Sequence, residues 1–123
     1  SKELNIEVCL IDQDIKYTLN RFLTKITRKE KLQFIKDLFF GNKGNYNFNL
    51  KKVPSQKEMG KMISKIKVNY PSFYNTIIKE RNIFMGKNLY KLMNLYPKSK
   101  LVGIVGAGHE KEIIGEIKLL EQI

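Results

Sequence analysis

A chain of 123 residues holds one domain, and its 42% hydrophobic and 28% charged content suits a packed core and a solvated surface, which excludes intrinsic disorder. The net charge is +11, but 20 of the 23 basic residues are lysines spread along the chain, with only Arg21, Arg28 and Arg81 as arginines. No basic helix or base-stacking motif goes with them, so nucleic acid is not an expected partner. The single Cys9 excludes an internal disulfide and a cysteine-based zinc site, and the single His109 excludes a multi-histidine metal site within these residues.

No apolar run approaches the roughly 18 residues of a membrane span, and no signal-peptide pattern opens the chain, so this segment reads as soluble. It starts at Ser1 rather than at a methionine, as a processed or engineered product does. Residues 6–11 (IEVCLI) form a short apolar run that predicts a buried strand ending at Asp12-Gln13-Asp14. Ile15, Leu19, Phe22, Leu23 and Ile26 then follow helical spacing, with Asp14 placed as N-cap. A second helix carries Leu32, Ile35, Leu38 and Phe39, and Gly41 is placed to end it. Residues 41–54, rich in glycine and asparagine, read as a surface loop. Ser55 and Glu58 match a capping box for a helix with Met59, Met62, Ile63 and Ile66 on one face. After Pro71, Ser72 is placed to cap a long helix running to about Tyr96. Residues 100–105 (KLVGIV) predict a second buried strand, followed by Gly106-Ala107-Gly108-His109 and a last helix presenting Ile113, Ile114, Ile117 and Leu120.

The order predicts an α/β domain with a few-stranded parallel sheet and several helices around it. Two strands make a poor sheet, so the domain reads as the incomplete half of a larger αβ unit, 1–123 being one piece of it. Its exposed sheet is expected to make homo-oligomers.

Three groups of residues carry chemistry. On a regular helical wheel Phe73, Tyr74, Ile78, Phe84, Met85, Leu92, Leu95 and Tyr96 share one arc, with Arg81 in its middle, Asn88 beside it and Glu80 at its edge. A guanidinium there needs a pocket or a buried ion pair, unless its stem packs and its head reaches water. The Gly106–His109 turn stands at the carboxyl end of the second strand, where open α/β sheets bind ligands. Its glycines permit positive φ and close backbone approach, and the helix start offers N–H groups; alternatively the turn only needs small residues. His109 there is a candidate metal ligand or general base. Asp12 and Asp14 would reach the same sheet edge and could share a proton or a divalent cation with His109, although Asp14 is equally a cap and Asp12 a solvated strand end.

These residues resemble a known family. Residues 11–21 (IDQDIKYTLNR) look like the D-R-D-I-x-x-T-L-x-R segment of the TraB/PrgY pheromone-shutdown proteins. Residues 80–85 (ERNIFM) look like that family's E-R-[DN]-x-x-M-A helix, and residues 102–109 (VGIVGAGH) like its V-x-V-V-G-A-G-H turn. The segments occur in family order across nearly the whole chain, which is thereby similar to the C-terminal half of a TraB domain. The wider superfamily, with Tiki-type metalloproteases, erythromycin esterases and ChaN-like lipoproteins, shares two G-x-x-H motifs, glutamates and an arginine around one site, with a divalent metal in the protease members. By resemblance Gly106 and His109 correspond to the second G-x-x-H, Glu80 and Arg81 to the E-R pair, and Asp12 and Asp14 to the two aspartates. Gln13 replaces the family's arginine, Gly86 stands where alanine is usual in what reads as a harmless exchange, and Glu110-Lys111-Glu112 follows His109 where the family tends to Gly-Ile. Nothing here matches the first G-x-x-H or the downstream membrane helices, whose presence in the family implies a membrane-associated parent.

The resemblance implies a metal-dependent hydrolase or peptidase that inactivates a peptide pheromone, this segment alone being inactive. In that scheme Glu80, Arg81 and His109 are catalytic, His109 also holds the metal, and Asp12, Asp14, Gly106 and Gly108 bind ligand. The alternative is a domain that sequesters a peptide without cleaving it.

Overall fold

The first three helices begin where a side chain satisfies one of the first free N–H groups, and these caps set the start of the fold. The structure, a computed structural model, describes residues 3–40 and 55–123. Helix α1 (Ile15–Lys25) starts at Asp14, whose carboxylate accepts the Lys16 N–H at 2.7 Å. Helix α2 (Arg28–Phe40) starts at Thr27, whose hydroxyl accepts the Glu30 N–H at 3.2 Å. Helix α3 (Gln56–Asn69) carries the complete capping box between Ser55 and Glu58. Next, α4 (Pro71–Phe73), a π-helical stretch (Tyr74–Lys79) and α5 (Glu80–Leu95) follow without interruption, and α6 (Glu110–Glu121) closes the order. The expected loop over 41–54, and Gly41 as the end of α2, lie outside the described residues.

The expected α/β architecture with a parallel sheet is overturned: among the described residues there is no strand, and the fold is all-α. Residues 6–11 and 100–105, read as buried strands, are irregular, and all but the half-buried Ile11 and Val105 are exposed; Leu10 and Ile104 are 95% and 92% exposed. The reason is physical. A pair of strands alone is marginal, and a parallel pair requires cover on both faces that no described element supplies. The sheet through which homo-oligomers were expected is therefore absent among the described residues.

The long helix also departs from the regular wheel. The Glu80 N–H donates to the carbonyl of Asn75, five residues back, which is the π pattern. A π turn takes up an extra residue, so everything after it is rotated by about one residue relative to a regular α-helix. The buried face of α5 consequently consists of Asn82, Met85 and Gly86, with Phe84 exposed and Arg81 moved from the middle of the stripe toward its margin. Asn82 takes the central place.

Packing centres on α5 against α6, where Met85 and Ile113 are each 3% exposed. Burying side chains of this size contributes about 1.5–3 kcal/mol each. Gly86 sets how close the helices come. A Cβ there would stand 2.8 Å from the Cβ of Glu116, so the alanine usual in the resembled family is not the harmless exchange the sequence implied. On the other side Phe22 of α1 meets Phe73 edge-on at 5.6 Å. The cap expected from Ser72 comes instead from α2: the helix starts at Pro71, and the Ser72 N–H donates to the buried Glu30 carboxylate at 3.0 Å. Burial raises the Glu30 pKa, but hydrogen bonds from Ser72 and Thr27 outweigh it and hold the carboxyl below its usual range. The apolar stripe of α2 (Leu32, Ile35, Leu38, Phe39) is exposed.

Gly86→Ala should destabilise the chain by roughly 1–3 kcal/mol despite alanine's better helix propensity, because the colliding atom is anchored to the α6 backbone. Chemical denaturation reads this directly; an unchanged or raised midpoint would contradict the packing described.

Candidate functional site

Two polar residues of α5, seven apart and so two turns apart on one face, hold the end of the first irregular segment. Asn88 Nδ2 donates to the Ile11 carbonyl at 3.0 Å. Arg81 Nη2 and Nε donate to the two carboxylate oxygens of Asp12 at 2.6 and 3.1 Å, and Nη1 donates to the Ile77 carbonyl at 3.3 Å. Residues 11–12 are thereby laid along α5. The second irregular segment enters beside them and turns at Gly106, where the His109 N–H donates to the Gly106 carbonyl at 2.9 Å. Between the two runs a cleft of about 580 Å³, lined by Asp12, Asp14, Arg81, Gly106 and His109 together with the apolar Ile11 and Met85.

Five of the seven predicted site residues thus share one cleft. Glu80 does not. It faces α1 instead, accepting from Arg21 at 2.6 Å in an ion pair on a separate surface. Gly108 does not line the cleft either; it packs under Met59 and Ile63 of α3. Among the described residues no glycine has a φ in the left-handed region, so the turn's glycines serve by their small size rather than by positive φ. The α6 N-terminus carries Glu110 and Glu112 in its first turn, carboxylates that already complement the helix dipole there.

Electrostatics separate the groups. Asp12 and Arg81 stabilise one another's charges: the Arg81 hydrogen bond holds the Asp12 carboxyl below its usual value against the opposing effect of burial, and the Arg81 guanidinium is held still more firmly protonated. The pair is partly exposed, at 25% for Arg81 and 45% for Asp12, and contributes less than about 1 kcal/mol to folding. Its role is positional. His109 is shifted downward, first by burial and then by the Arg81 cation, with Asp12 opposing, so the imidazole is neutral at pH 7.

Asn82 is a residue of the site that the sequence pattern does not mark. It is 2% exposed, and its Oδ1 lies 2.5 Å from His109 Nδ1. A regular wheel puts it off the buried face; only the π turn brings it inward, so no signal in the residue pattern marks it. Asn88 stood beside Arg81 on the wheel, and its spacing of seven from Arg81 was the available clue.

The divalent metal implied by the family resemblance needs a donor set. Among the described residues no three His, Cys, Asp or Glu side chains converge. Asp12 is engaged by Arg81 and Asp14 by the α1 N-terminus, which leaves the imidazole and the Cys9 thiol, fewer than the three protein ligands of a catalytic zinc site. These residues by themselves do not fit the metal.

No family model matches the chain, and no solved structure matches it. The chain is similar to the uncharacterized protein MJ1365 of Methanocaldococcus jannaschii, at 31% identity over 122 residues. The alignment covers 98% of this chain and 30% of that relative. Among the described residues no helix is long and apolar enough to cross a membrane.

The neutral state of His109 has a pH signature. Its ordinary value is near 6.5, so below that pH the unfolded chain takes up a proton that the folded chain refuses, and stability falls with acidification until the lower folded value is reached. The stability difference between wild type and His109→Asn should therefore shift against the wild type as pH drops from 7 toward 5. A difference independent of pH would contradict a depressed His109.

Proposed function

We propose that this chain contributes one wall of a peptide-binding, peptide-hydrolysing site of the TraB/PrgY kind, with His109 as its acid–base group. The observation that carries the reading is the convergence of a neutral imidazole and a fixed guanidinium on one cleft. The family resemblance adds the substrate class; the archaeal relative's name assigns no activity and adds none.

In this reading a peptide lies in the cleft along the exposed residues 8–10 and 101–104. The neutral His109 takes a proton from water as the water oxygen bonds to the scissile carbonyl carbon. A guanidinium has five N–H groups; Asp12 and Ile77 occupy three of those of Arg81, which leaves two for the oxyanion that develops. The tetrahedral intermediate collapses with cleavage of the C–N bond, and His109 returns its proton to the leaving amine. No step is routed through a metal.

A second reading, sequestration without cleavage, is favoured by one feature. Glu80, expected as a further acid–base group, is turned to Arg21 and does not line the cleft.

The complete protein and a fluorogenic peptide distinguish the two. For a hydrolase, His109→Ala should lower kcat/KM by at least about 10²-fold with peptide binding little changed. Arg81→Lys should not restore the activity lost in Arg81→Ala, because an ammonium lacks the planar fork, and Glu80→Gln should leave turnover nearly unaltered. Tight binding with no cleavage in wild type, retained in His109→Ala, would establish the sequestering reading instead.

A further inference from the structure

We propose that Asn82 is a positioning residue that holds His109 in the Nδ1–H tautomer and so presents an unprotonated Nε2 to the cleft. The inference deepens the reading of His109 as the acid–base group, and its structural part stands without that reading.

The geometry carries it. A neutral imidazole bears one proton, on either nitrogen. Nδ1 lies 2.5 Å from the Oδ1 of Asn82, an acceptor. Two lone pairs cannot face each other at that distance, so the proton belongs on Nδ1, and Nε2 keeps its lone pair. The opposite edge of the ring lies along the cleft: Cδ2, bonded to Nε2, is 3.4 Å from where a Cβ on Gly106 would stand, and both Gly106 and His109 line the cleft.

Asn82 is suited to hold a ring. At 2% exposure its side chain has little room to turn, and it sits on a helix face fixed by the α5–α6 packing. Catalytic geometry generally depends on such a partner. A buried carbonyl or carboxylate oxygen on one imidazole nitrogen sets what the other nitrogen can do. Here the partner is an amide, which orients the ring without adding a negative charge that would favour its protonation. The π turn has a consequence for the site as well. Without the rotation it imposes, Asn82 would leave the buried face and His109 would lose its partner.

Because His109 is the only histidine in the sequence, its ring nitrogens give an unambiguous NMR readout. A two-bond proton–nitrogen correlation spectrum of the chain near pH 7.5 should show Nδ1 protonated and Nε2 with the shift of a bare nitrogen. In Asn82→Ala the population should move toward the Nε2–H form, while Asn82→Asp, which keeps the acceptor, should retain Nδ1–H. A merely structural Asn82 would lower stability in Asn82→Ala without moving the tautomer. Should that variant fail to fold, the near-isosteric Asn82→Leu takes its place, and the wild-type spectrum alone still decides. An Nε2–H tautomer in wild type, or an Nδ1–H tautomer kept by folded Asn82→Ala or Asn82→Leu, would overturn the proposal. In the complete protein the expected loss of kcat/KM in Asn82→Ala is about 10–100-fold, with partial recovery in Asn82→Asp. Absent peptidase activity would end the catalytic role and leave the tautomer assignment untouched.

Discussion

The bidentate contact between Arg81 and Asp12 is the interaction on which the arrangement of the cleft depends. It contributes little stability, since both partners are partly exposed. What it does is geometric. Asp12 ends an irregular segment that forms no ladder among the described residues, and α5 fastens that end by side-chain hydrogen bonds. Arg81 and Asn88 provide two attachment points two turns apart, at Asp12 and at the Ile11 carbonyl. One wall of the cleft is therefore a strand-like run of sequence fastened to a helix by polar side chains. The other wall, the Gly106–His109 turn, is fastened through Asn82 of the same helix and through Gly108 under α3. Helix α5 thus holds both walls.

What was legible in the sequence was mostly local. Asp14 and the Ser55–Glu58 box could be read because a cap involves residues within three positions of each other. The apolar face of α3 (Met59, Met62, Ile63, Ile66) follows the same short-range logic, whereas the stripe expected on the long helix does not hold, since Phe84, Leu95 and Tyr96 are exposed. The two apolar runs were misread because a short apolar segment satisfies the pattern of a buried strand whether or not anything covers it. Ile6, Val8, Leu10, Val102 and Ile104 are all exposed. Glu30 could not be found as the cap at Ser72, since 42 residues separate them and no spacing links the two.

The candidate site divides along the same line. Asp12, Arg81, Gly106 and His109 were chosen for their chemistry and meet in one cleft. Glu80 was chosen with Arg81 as a consecutive pair, but neighbours on a helix point about 100° apart, and Glu80 turns to Arg21. Asn82 was hidden by the π stretch, whose rotation no residue pattern announces. A regular wheel names Arg81 as the centre of the stripe. The structure puts Asn82 there and leaves Arg81 at the margin, where a guanidinium can reach both Asp12 and the cleft without full burial. That placement avoids the large cost of a fully buried charge and keeps the donor available.

The central claim, that α5 holds residues 11–12 beside the His109 turn, can be measured with two single-copy residues. Cys9 is exposed and is the only cysteine, and His109 is the only histidine. A nitroxide on Cys9 should strongly broaden the His109 ring signals and the amides of residues 104–106, since all of them border the same cleft. In Arg81→Met/Asn88→Leu, which removes both attachments, that broadening should largely disappear while the signals of α6 beyond its first turn keep their positions. Unbroadened His109 signals in the wild type, or broadening unchanged in the double variant, would contradict the account.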